Sequence, residues 1–440
     1  MKVGVYTVRD EEGKPIGTAK LHLREEPDGT GILIINANHV VYLNKTAKDH
    51  VELIIEGKTV DEAVKILSKK YKAKKEVLKR NHEKILLFIE SILKEGEICP
   101  FSFFGVKPIE PFSKEISKPF RIDLALTYKC NNNCLHCYSS SPRQKPELST
   151  KEWKKIIDLC AKLEIPQIVF TGGEPTLRED LPELVRHAQD KGIVTGLLSN
   201  GRLLGVKKDL AEKLVKAGLD YVQITIESCI EEEHDKITRV PGSWRETIEG
   251  IKNSVKAGIY TTTNTTITRI NHDEIEKLIE MLYNLGVKNV GFNALIYAGR
   301  AVKTASELAL PIEQLKTVLD RAKHKAHELG IPITWYTPTK YCELNPVKMG
   351  LGVKSCSAAR ITLCVEPDGT VIPCQSWFQP LGNILKDKWG KIWNHEVCKY
   401  ARAAKWLPEE CRDCPWVSVC RGGCPLKLGE KAVRCGECYR

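Results

Sequence analysis

The sequence predicts an α/β protein built around a partial (β/α)6 barrel, preceded by a smaller α+β domain of winged-helix-like character and followed by a cysteine-rich domain. Three observations support this prediction: hairpin patterns near the N terminus, strand and helix patterns that alternate from residue 121 onward, and clustered cysteines near the C terminus. We expect the first domain at residues 1–98, a linker at 99–120, the barrel at 121–335 and the cysteine-rich domain at 336–440.

Composition narrows the class of protein. A chain of 440 residues can bury more than one core. No apolar run approaches the roughly 20 residues of a membrane span, so we expect a cytoplasmic protein with no membrane partner. In a reducing compartment, 17 cysteines favour metal binding over disulfides. The formal charge is +11, but the lysines around Lys65–Lys79 have no aromatic platform beside them, and nucleic-acid binding is not expected.

The first hundred residues contain two hairpin patterns and then three helical ones. The expected strands pair within Val3–Val8 and Ile16–Leu23, and within Ile32–Ile35 and Val40–Leu43. The expected helices are Thr46–Ile55, Val60–Tyr71 and Val77–Leu93. Thr59 is predicted to cap the second helix, with Glu62 completing a capping box.

From residue 121 onward, strand patterns alternate with amphipathic helical patterns. The expected strands are Ile122–Leu126, Gln167–Phe170, Val194–Leu198, Tyr221–Ile226, Tyr260–Ile267 and Val287–Asn293. The expected helices include Lys151–Leu163, Leu181–Lys191, Lys207–Lys216 and Asp273–Leu285. Six such units predict a parallel sheet, and catalytic groups of such barrels lie at the C-terminal ends of the strands.

Two motifs lie at predicted strand ends. Cys130, Cys134 and Cys137 follow the first barrel strand, and three clustered thiolates leave one metal position open where four would close the site. The second strand runs into a Gly-Gly-Glu-Pro segment, residues 172–175. Its two glycines allow another group to approach the backbone, and a glutamate held at a strand end can bind an ammonium group.

Together these motifs resemble the radical S-adenosylmethionine (SAM) enzymes. The resemblance implies a [4Fe-4S] cluster held by Cys130, Cys134 and Cys137, whose fourth iron chelates SAM. It places the methionine amino group beside a segment formed by Gly172, Gly173, Glu174 and Pro175. It further implies a low-potential electron donor such as ferredoxin or flavodoxin, and reductive cleavage of SAM to a 5′-deoxyadenosyl radical. The residues alone also allow a zinc knuckle beside an unrelated glycine turn.

The same resemblance gives further candidates for contacts with SAM at the ends of the strands. They are His136, Ser199, Asn200, Thr225, Glu227 and Arg239. Glu227 would reach the ribose hydroxyls, Arg239 would meet the SAM carboxylate, and His136 would stack on the adenine. Asn264, Asn293 and the run from Gly299 to Ala301 follow from the later strands. For each residue the alternative is a surface or supporting polar role.

The C-terminal cysteines follow a regular spacing. Cys356 precedes Gly369 by twelve intervening residues, and Cys374 follows after four more. A C-x2-C-x5-C-x3-C run then extends from Cys411 to Cys424. The pattern resembles the SPASM domain, which implies two auxiliary [4Fe-4S] clusters, whereas a zinc ribbon would explain only Cys411 and Cys414.

By this resemblance, the auxiliary cluster nearer the active site takes Cys356, Cys374 and Cys424, and its fourth ligand is either Cys342 or Cys364. The outer cluster takes four ligands, with Cys438 as the competitor for the last: Cys411, Cys414, Cys420 and Cys435. Cys99, Cys160, Cys229 and Cys398 have no partners at useful spacing and are expected to be packing residues.

The N-terminal domain resembles a second family. Residues Val40–Ala47 followed by Gly57–Val64 are similar to PqqD-like domains, which bind a leader peptide as a strand added to an exposed sheet edge. The alternatives are an ordinary packing domain and a DNA-binding winged helix.

These resemblances imply a radical SAM/SPASM maturase that crosslinks or oxidises a side chain of a peptide or protein. Formylglycine formation is not expected, because Gln375 and Ser376 follow Cys374 where that subgroup carries an aspartate. One alternative is a maturase of a tungsten-type oxidoreductase or its cofactor. An alternative of another class is a non-catalytic iron–sulfur electron carrier or regulator, which would have no need of Glu174 in its setting.

Overall fold

The structure, a computed structural model, describes residues 2–9, 14–36, 39–95, 116–140 and 145–428. The chain forms two compact units. The first contains Met1–Phe120 with the short segments Cys160–Pro166 and Lys191–Val194, and the second contains the remainder. Within the described ranges, no helix is both long and apolar enough to cross a membrane.

The first unit contains a four-stranded antiparallel sheet in the order β1-β2-β3-β4. Its strands are β1 (Lys2–Arg9), β2 (Pro15–Glu25), β3 (Gly31–Ile35) and β4 (His39–Leu43). Three helices follow: α1 (Lys45–Ile55), α2 (Val60–Lys70) and α3 (Lys75–Glu95). Both predicted hairpins and all three predicted helices are confirmed. Leu21, Leu33 and Ile35 of the sheet pack in one core with Val51 of α1 and Phe88 of α3.

The second unit is organised by a ten-stranded sheet in the order β11-β10-β9-β8-β7-β6-β5-β12-β13-β14. The six predicted barrel strands are confirmed as β5 (Arg121–Thr127), β6 (Gln167–Gly172), β7 (Val194–Ser199), β8 (Tyr221–Thr225), β9 (Tyr260–Thr266) and β10 (Asn289–Asn293). They stand side by side in chain order, and the pairs β5–β6, β7–β8, β8–β9 and β9–β10 are parallel. The predicted α/β barrel class is therefore confirmed.

Helices connect these strands. They are α4 (Thr150–Lys162), α5 (Leu181–Asp190), α6 (Arg202–Val206), α7 (Leu210–Ala217), α8 (Glu231–Thr238), α9 (Ser243–Lys256), α10 (Ile275–Asn284), α11 (Ala301–Leu308) and α12 (Ile312–Leu329). The four helices predicted by name correspond to α4, α5, α7 and α10. The connection after β8 contains two helices, α8 and α9, and the loop ahead of α8 begins at the strand end that carries Glu227.

The cysteine-rich region extends the barrel sheet rather than forming a sheet of its own. After β11 (Ile333–Trp335), strand β12 (Thr362–Val365) pairs in parallel with β5. The predicted hairpin around Gly369 is formed by β12 and β13 (Thr370–Ile372), and β14 (Gly382–Asn383) completes the sheet. Three short helices follow: α13 (Trp389–Trp393), α14 (Glu396–Arg402) and α15 (Val417–Cys420). Residues near Cys374 are thereby attached directly to the first barrel strand.

The N terminus of α2 has the capping box that the sequence predicts. The Glu62 amide donates to the Thr59 hydroxyl at 3.3 Å, and the Glu62 carboxylate accepts from the Thr59 amide at 2.9 Å. We expect Thr59→Ala to remove about 1 kcal/mol of local stability, because the Glu62 amide loses the hydroxyl group that caps it. Hydrogen exchange of the first α2 amides should then be about fivefold faster. Ser68→Ala, on an exposed turn of the same helix, is the control, and equal exchange in both variants would contradict this role.

Candidate active site

The loop after β5 carries the first three cysteines and is held by two arginines. Arg202 Nη1 donates to the backbone carbonyl of Asn131 and, at 2.9 Å, to Oδ1 of Asn132. Arg300 donates to the backbone carbonyl of Asn133 and to its Oδ1, both at 2.6 Å, and to the backbone carbonyl of Cys134. Each asparagine between the first two cysteines is therefore bound by an arginine through its side chain or its carbonyl.

The sequence analysis did not predict Arg202 as a functional residue, and it included Arg300 only within the run from Gly299 to Ala301. The available signal was the three consecutive asparagines between Cys130 and Cys134, which supply amide oxygens that need donors.

The thiols of this loop lie in a desolvated environment that suits a metal cluster. Desolvation by the surrounding protein raises the pKa of Cys130 to about 12, although the residue retains surface exposure. Burial raises the pKa of Cys134 well above its usual value, and the charges of Glu227, Cys137 and Cys130 raise it further. Such thiols stay protonated unless a metal compensates their charge.

The two glycines after β6 are required by the cysteine loop itself. The Gly173 amide donates to the Thr127 carbonyl at 2.7 Å, and the Glu174 amide donates to the Lys129 carbonyl at 2.9 Å. A Cβ atom would lie 2.1 Å from the Thr127 oxygen at Gly172, and 2.4 Å from the Lys129 oxygen at Gly173. The group that approaches this backbone closely is therefore the backbone of the cysteine loop.

Glu174 is fully buried, and its carboxylate is occupied by protein donors. Oε1 accepts from the Thr176 hydroxyl at 2.5 Å, the Thr176 amide at 3.0 Å and the Ser199 hydroxyl at 2.8 Å, while Oε2 accepts from the Asn200 amide at 2.7 Å. Burial raises the pKa of this carboxyl, and the hydrogen bonds oppose that shift. The side chain thus joins the ends of β6 and β7.

Glu227 is also fully buried and bound within the protein. Its Oε1 lies 2.8 Å from His136 Nε2, and its Oε2 accepts from the Thr266 amide at 3.1 Å. Burial alone would lower the pKa of His136, but the Glu227 carboxylate outweighs burial and the net shift is upward. His136, a residue of the cysteine loop, therefore links this loop to Glu227. A direct contact from Glu227 to a ribose would require replacing one of these hydrogen bonds.

Asn200, Thr225 and Arg239 are the remaining residues that were predicted to contact SAM. Asn200 Nδ2 donates to Asn131 Oδ1 at 2.7 Å, so the end of β7 contacts the cysteine loop. Thr225 is partly buried at the end of β8. Arg239 is exposed, with φ of 59° at the C-terminal end of α8. The carbonyl of Thr238, directly before it, accepts from the Asn133 amide at 3.0 Å, so Arg239 follows a helix end that holds the loop.

Comparison with protein families and with known proteins identifies the superfamily of this chain. The model of the radical SAM superfamily matches residues 124–282, and the model of the SPASM iron–sulfur cluster-binding domain matches residues 356–415. Fe-coproporphyrin III synthase of Methanosarcina barkeri is 30% identical over 326 residues, covering 68% of this chain and 81% of that protein. This chain belongs to the radical SAM superfamily. It is an enzyme, and the alternative of a non-catalytic electron carrier is set aside.

Other radical SAM proteins are similar over much of the chain. PqqA peptide cyclase of Bradyrhizobium diazoefficiens is 29% identical over 320 residues, covering 70% of this chain and 81% of that protein. The crystal structure of Streptococcus suis SuiB bound to precursor peptide SuiA has a TM-score of 0.69 at 15% identity, covering 93% of this chain and 95% of that chain. Native anSMEcpe with bound AdoMet has a TM-score of 0.56 at 18% identity, covering 70% and 90%. At these identities, the structures establish the fold alone.

The cysteines of the SPASM region form two groups. Burial first, and then the Cys356 thiol, raises the pKa of Cys374 to about 12. The pKa of Cys424 is raised by burial, then by Cys356 and Cys374, so these three thiols form an inner group. The outer group is marked by Cys411, whose pKa is raised by burial and then by several charges, including those of Cys414, Cys420 and Cys342.

Cys342, one of the two candidates for the fourth inner ligand, lies in a loop that also contacts the outer group. Its charge contributes to raising the pKa of Cys411, and the neighbouring Tyr341 amide donates to the Cys420 sulfur at 3.3 Å. Its assignment to the inner cluster stays a prediction. Cys364 is fully buried in β12, where it packs with Ala125 and Ile372 as a core residue.

Three further cysteines are packing residues. Cys160 and Cys398 are fully buried, and Cys229 is partly buried. Cys99, Cys435 and Cys438 lie outside the described residues.

A radical SAM domain binds a [4Fe-4S] cluster and SAM, and a SPASM domain binds auxiliary iron–sulfur clusters. The desolvated thiols described above fit these groups, since Cys130, Cys134 and Cys137 would hold the first cluster and the inner and outer thiols the auxiliary ones. When bound, the first cluster and SAM supply a one-electron reduction that yields a 5′-deoxyadenosyl radical. The cations that act on the Cys356 thiol are Arg421 and Arg360, which favour negative charge there.

The glycines of residues 172–173 give a direct test of the loop geometry. Gly173→Ala would push a methyl group against the Lys129 carbonyl, so we expect the cysteine loop to lose its cluster. Iron should fall from about twelve to about eight atoms per chain after anaerobic reconstitution, with loss of one reduced-cluster signal in electron paramagnetic resonance. Gly390→Ala is the control, because a Cβ there meets no atom within 4 Å. Full iron content in Gly173→Ala would contradict the close approach.

Proposed function

We propose that this enzyme is a radical SAM/SPASM maturase that crosslinks or oxidises a side chain of a peptide or protein. One contact carries the proposal. Tyr138, the residue after Cys137, donates its hydroxyl hydrogen to Oε1 of Gln375, the residue after Cys374, at 2.9 Å. A substrate beside this contact lies close to both the SAM-binding cysteine loop and the inner auxiliary thiols. An oxidation that removes a hydrogen atom and then an electron needs this proximity.

The relatives support a peptide as the substrate class. Several proteins similar over about 70% of this chain are named PqqA peptide cyclase, and the similar SuiB structure holds a precursor peptide. The relative named Fe-coproporphyrin III synthase favours a second candidate, a small-molecule substrate. Mass spectrometry of the product distinguishes the two candidates.

We further propose that the N-terminal sheet binds the leader of the substrate as an added strand. The two edge strands of this sheet are β1 and β4. Each exposes an apolar side chain, since Val5 of β1 is 65% exposed and Val40 of β4 is 38% exposed. Edge strands with exposed apolar side chains are the usual sites of strand addition. A low-potential donor such as ferredoxin or flavodoxin is proposed to supply the electron.

The catalytic assignment predicts the effect of removing one thiol. Cys134→Ala should reduce 5′-deoxyadenosine formation from SAM and dithionite to background, because two thiolates do not hold a site-differentiated cluster. Cys229→Ala is the control, since its partly buried thiol makes only a 3.8 Å contact with the Glu274 carbonyl. Normal SAM cleavage in Cys134→Ala would remove the catalytic assignment.

The peptide proposal predicts both a product and a protected strand. With SAM and dithionite, a precursor peptide encoded beside the gene should leave the enzyme lighter by two hydrogen atoms. The unmodified peptide should slow hydrogen exchange in one edge strand, β1 or β4, because its backbone pairs there. The central strands β2 and β3 are the internal control, since their backbones are already paired. Unchanged exchange in both edge strands would remove the leader-binding claim.

A further inference from the structure

The inner face of the barrel carries polar side chains from strands that are not neighbours. Arg121 and Asp123 share one face of β5, while Ile122 and Leu124 are fully buried on the other. The charge of Arg121 acts on the pKa of Tyr221, which begins β8, and on that of Tyr336, which follows β11. Because β5, β8 and β11 are separated in the sheet, these groups meet only across the barrel interior.

Two strand glycines make room for the tyrosine rings. A Cβ at Gly196 of β7 would lie 2.2 Å from the Tyr221 ring, and one at Gly291 of β10 would lie 2.3 Å from the Tyr336 ring. Glycine inside a strand costs stability and marks a place where another group approaches closely. Both tyrosines therefore lie against the inner wall and present their hydroxyl groups to the interior.

The carboxylate of this group is already paired. Asp123 Oδ2 accepts from Gln375 Nε2 at 2.8 Å and from Arg121 Nη2 at 3.2 Å, and its Oδ1 lies 2.8 Å from Arg121 Nε. The Arg121 side chain nevertheless keeps 36% of its surface accessible, whereas that of Asp123 keeps 2%. The Arg121 side chain is thus partly accessible, although its Nε atom is buried.

A second cation faces the same group. Lys354 Nζ lies 5.0 Å from the centroid of the Tyr336 ring and forms no ion pair with any described carboxylate. The cations that act on the nearby Cys356 thiol belong to Arg421 and Arg360. The Lys354 ammonium group therefore lies over the Tyr336 ring, whose pKa is also affected by the charge of Arg121. Two cations and one carboxylate leave this part of the interior with a net positive charge.

We propose that Arg121 and Lys354 bind a carboxylate group of the substrate inside the barrel. This inference rests on the proposed function only in placing the substrate there. A partly buried cation without a partner is unfavourable, and a substrate carboxylate would pair with Lys354 and with the accessible edge of Arg121. The hydroxyls of Tyr221 and Tyr336 are further donors. The carboxylate belongs either to an acidic side chain or to a chain terminus.

The test uses a ligand that does not presuppose a peptide. Glutarate and its uncharged analogue glutaramide are titrated calorimetrically into the anaerobically reconstituted enzyme with SAM bound. We expect glutarate to bind at least about tenfold more tightly than glutaramide, as the loss of a charged hydrogen bond requires. Lys354→Gln should abolish the preference and Lys354→Arg should retain it. Lys348→Gln, an exposed lysine of the same segment, should leave it unchanged.

Three results would overturn the inference. They are equal or absent binding of the two ligands by the wild type, an unchanged preference in Lys354→Gln, and a Lys354→Gln variant that alters only the reduction potential of an auxiliary cluster. The last result would show that Lys354 acts on the auxiliary cluster and not on the substrate. Iron content and Lys354→Arg exclude misfolding as the cause of a lost preference.

Peptides then identify the source of the carboxylate. The tripeptides N-acetyl-Ala-Glu-Ala-amide, N-acetyl-Ala-Gln-Ala-amide and N-acetyl-Ala-Gln-Ala with a free terminus separate a side-chain carboxylate from a terminal one. Tighter binding of either charged peptide than of the uncharged one supports the site. The peptide that binds more tightly shows whether the carboxylate comes from a side chain or from a chain terminus. Glutarate binding without any peptide modification would keep this inference and reject the peptide maturase, so the two failures are distinguishable.

Discussion

An irregular loop must hold three thiols at the mouth of the barrel, and most of the surrounding structure serves that requirement. The loop has no helix or strand to satisfy its backbone, so neighbouring elements do so: residues 173–174 donate to its carbonyls, the end of α8 accepts from its amides, and Arg202 and Arg300 bind its asparagines. Buried backbone groups without partners would be costly, and this explains why so many remote residues converge there. The two glycines after β6 are needed because the loop backbone leaves no space for a Cβ.

Charge is balanced locally around each group of buried ionisable residues. Glu174 accepts four hydrogen bonds, and Glu227 is paired with His136 and a backbone amide. Arg421 and Arg360 act on the Cys356 thiol in the same way. Lys354 is the exception among these groups, because no described carboxylate pairs with it. A partly buried charge that pairs with no described carboxylate is a reason to look for a ligand.

The connection between the barrel and the SPASM region brings the inner thiols close to the cysteine loop. Strand β12 pairs with β5, and the hairpin that follows delivers Cys374 and Gln375 to the inner face of the first strand. Tyr138 and Gln375 then bridge the cysteine loop and the inner thiols. A substrate in this space is near the site where a radical is made and near the thiols that would hold an electron acceptor.

The sequence by itself determined the local structure and the chemical class. Alternating apolar residues defined the barrel strands, the Thr59–Glu62 box defined a helix start, and the cysteine spacings defined the superfamily, because each signal depends only on residues near one another in the chain. Tertiary structure decided which remote groups meet. It provided hydrogen-bond partners for the carboxylates of Glu174 and Glu227, brought Arg202 to the cysteine loop and placed Lys354 over the Tyr336 ring. No periodicity or spacing encodes these contacts, because their partners lie tens to hundreds of residues away and meet only when the sheet closes.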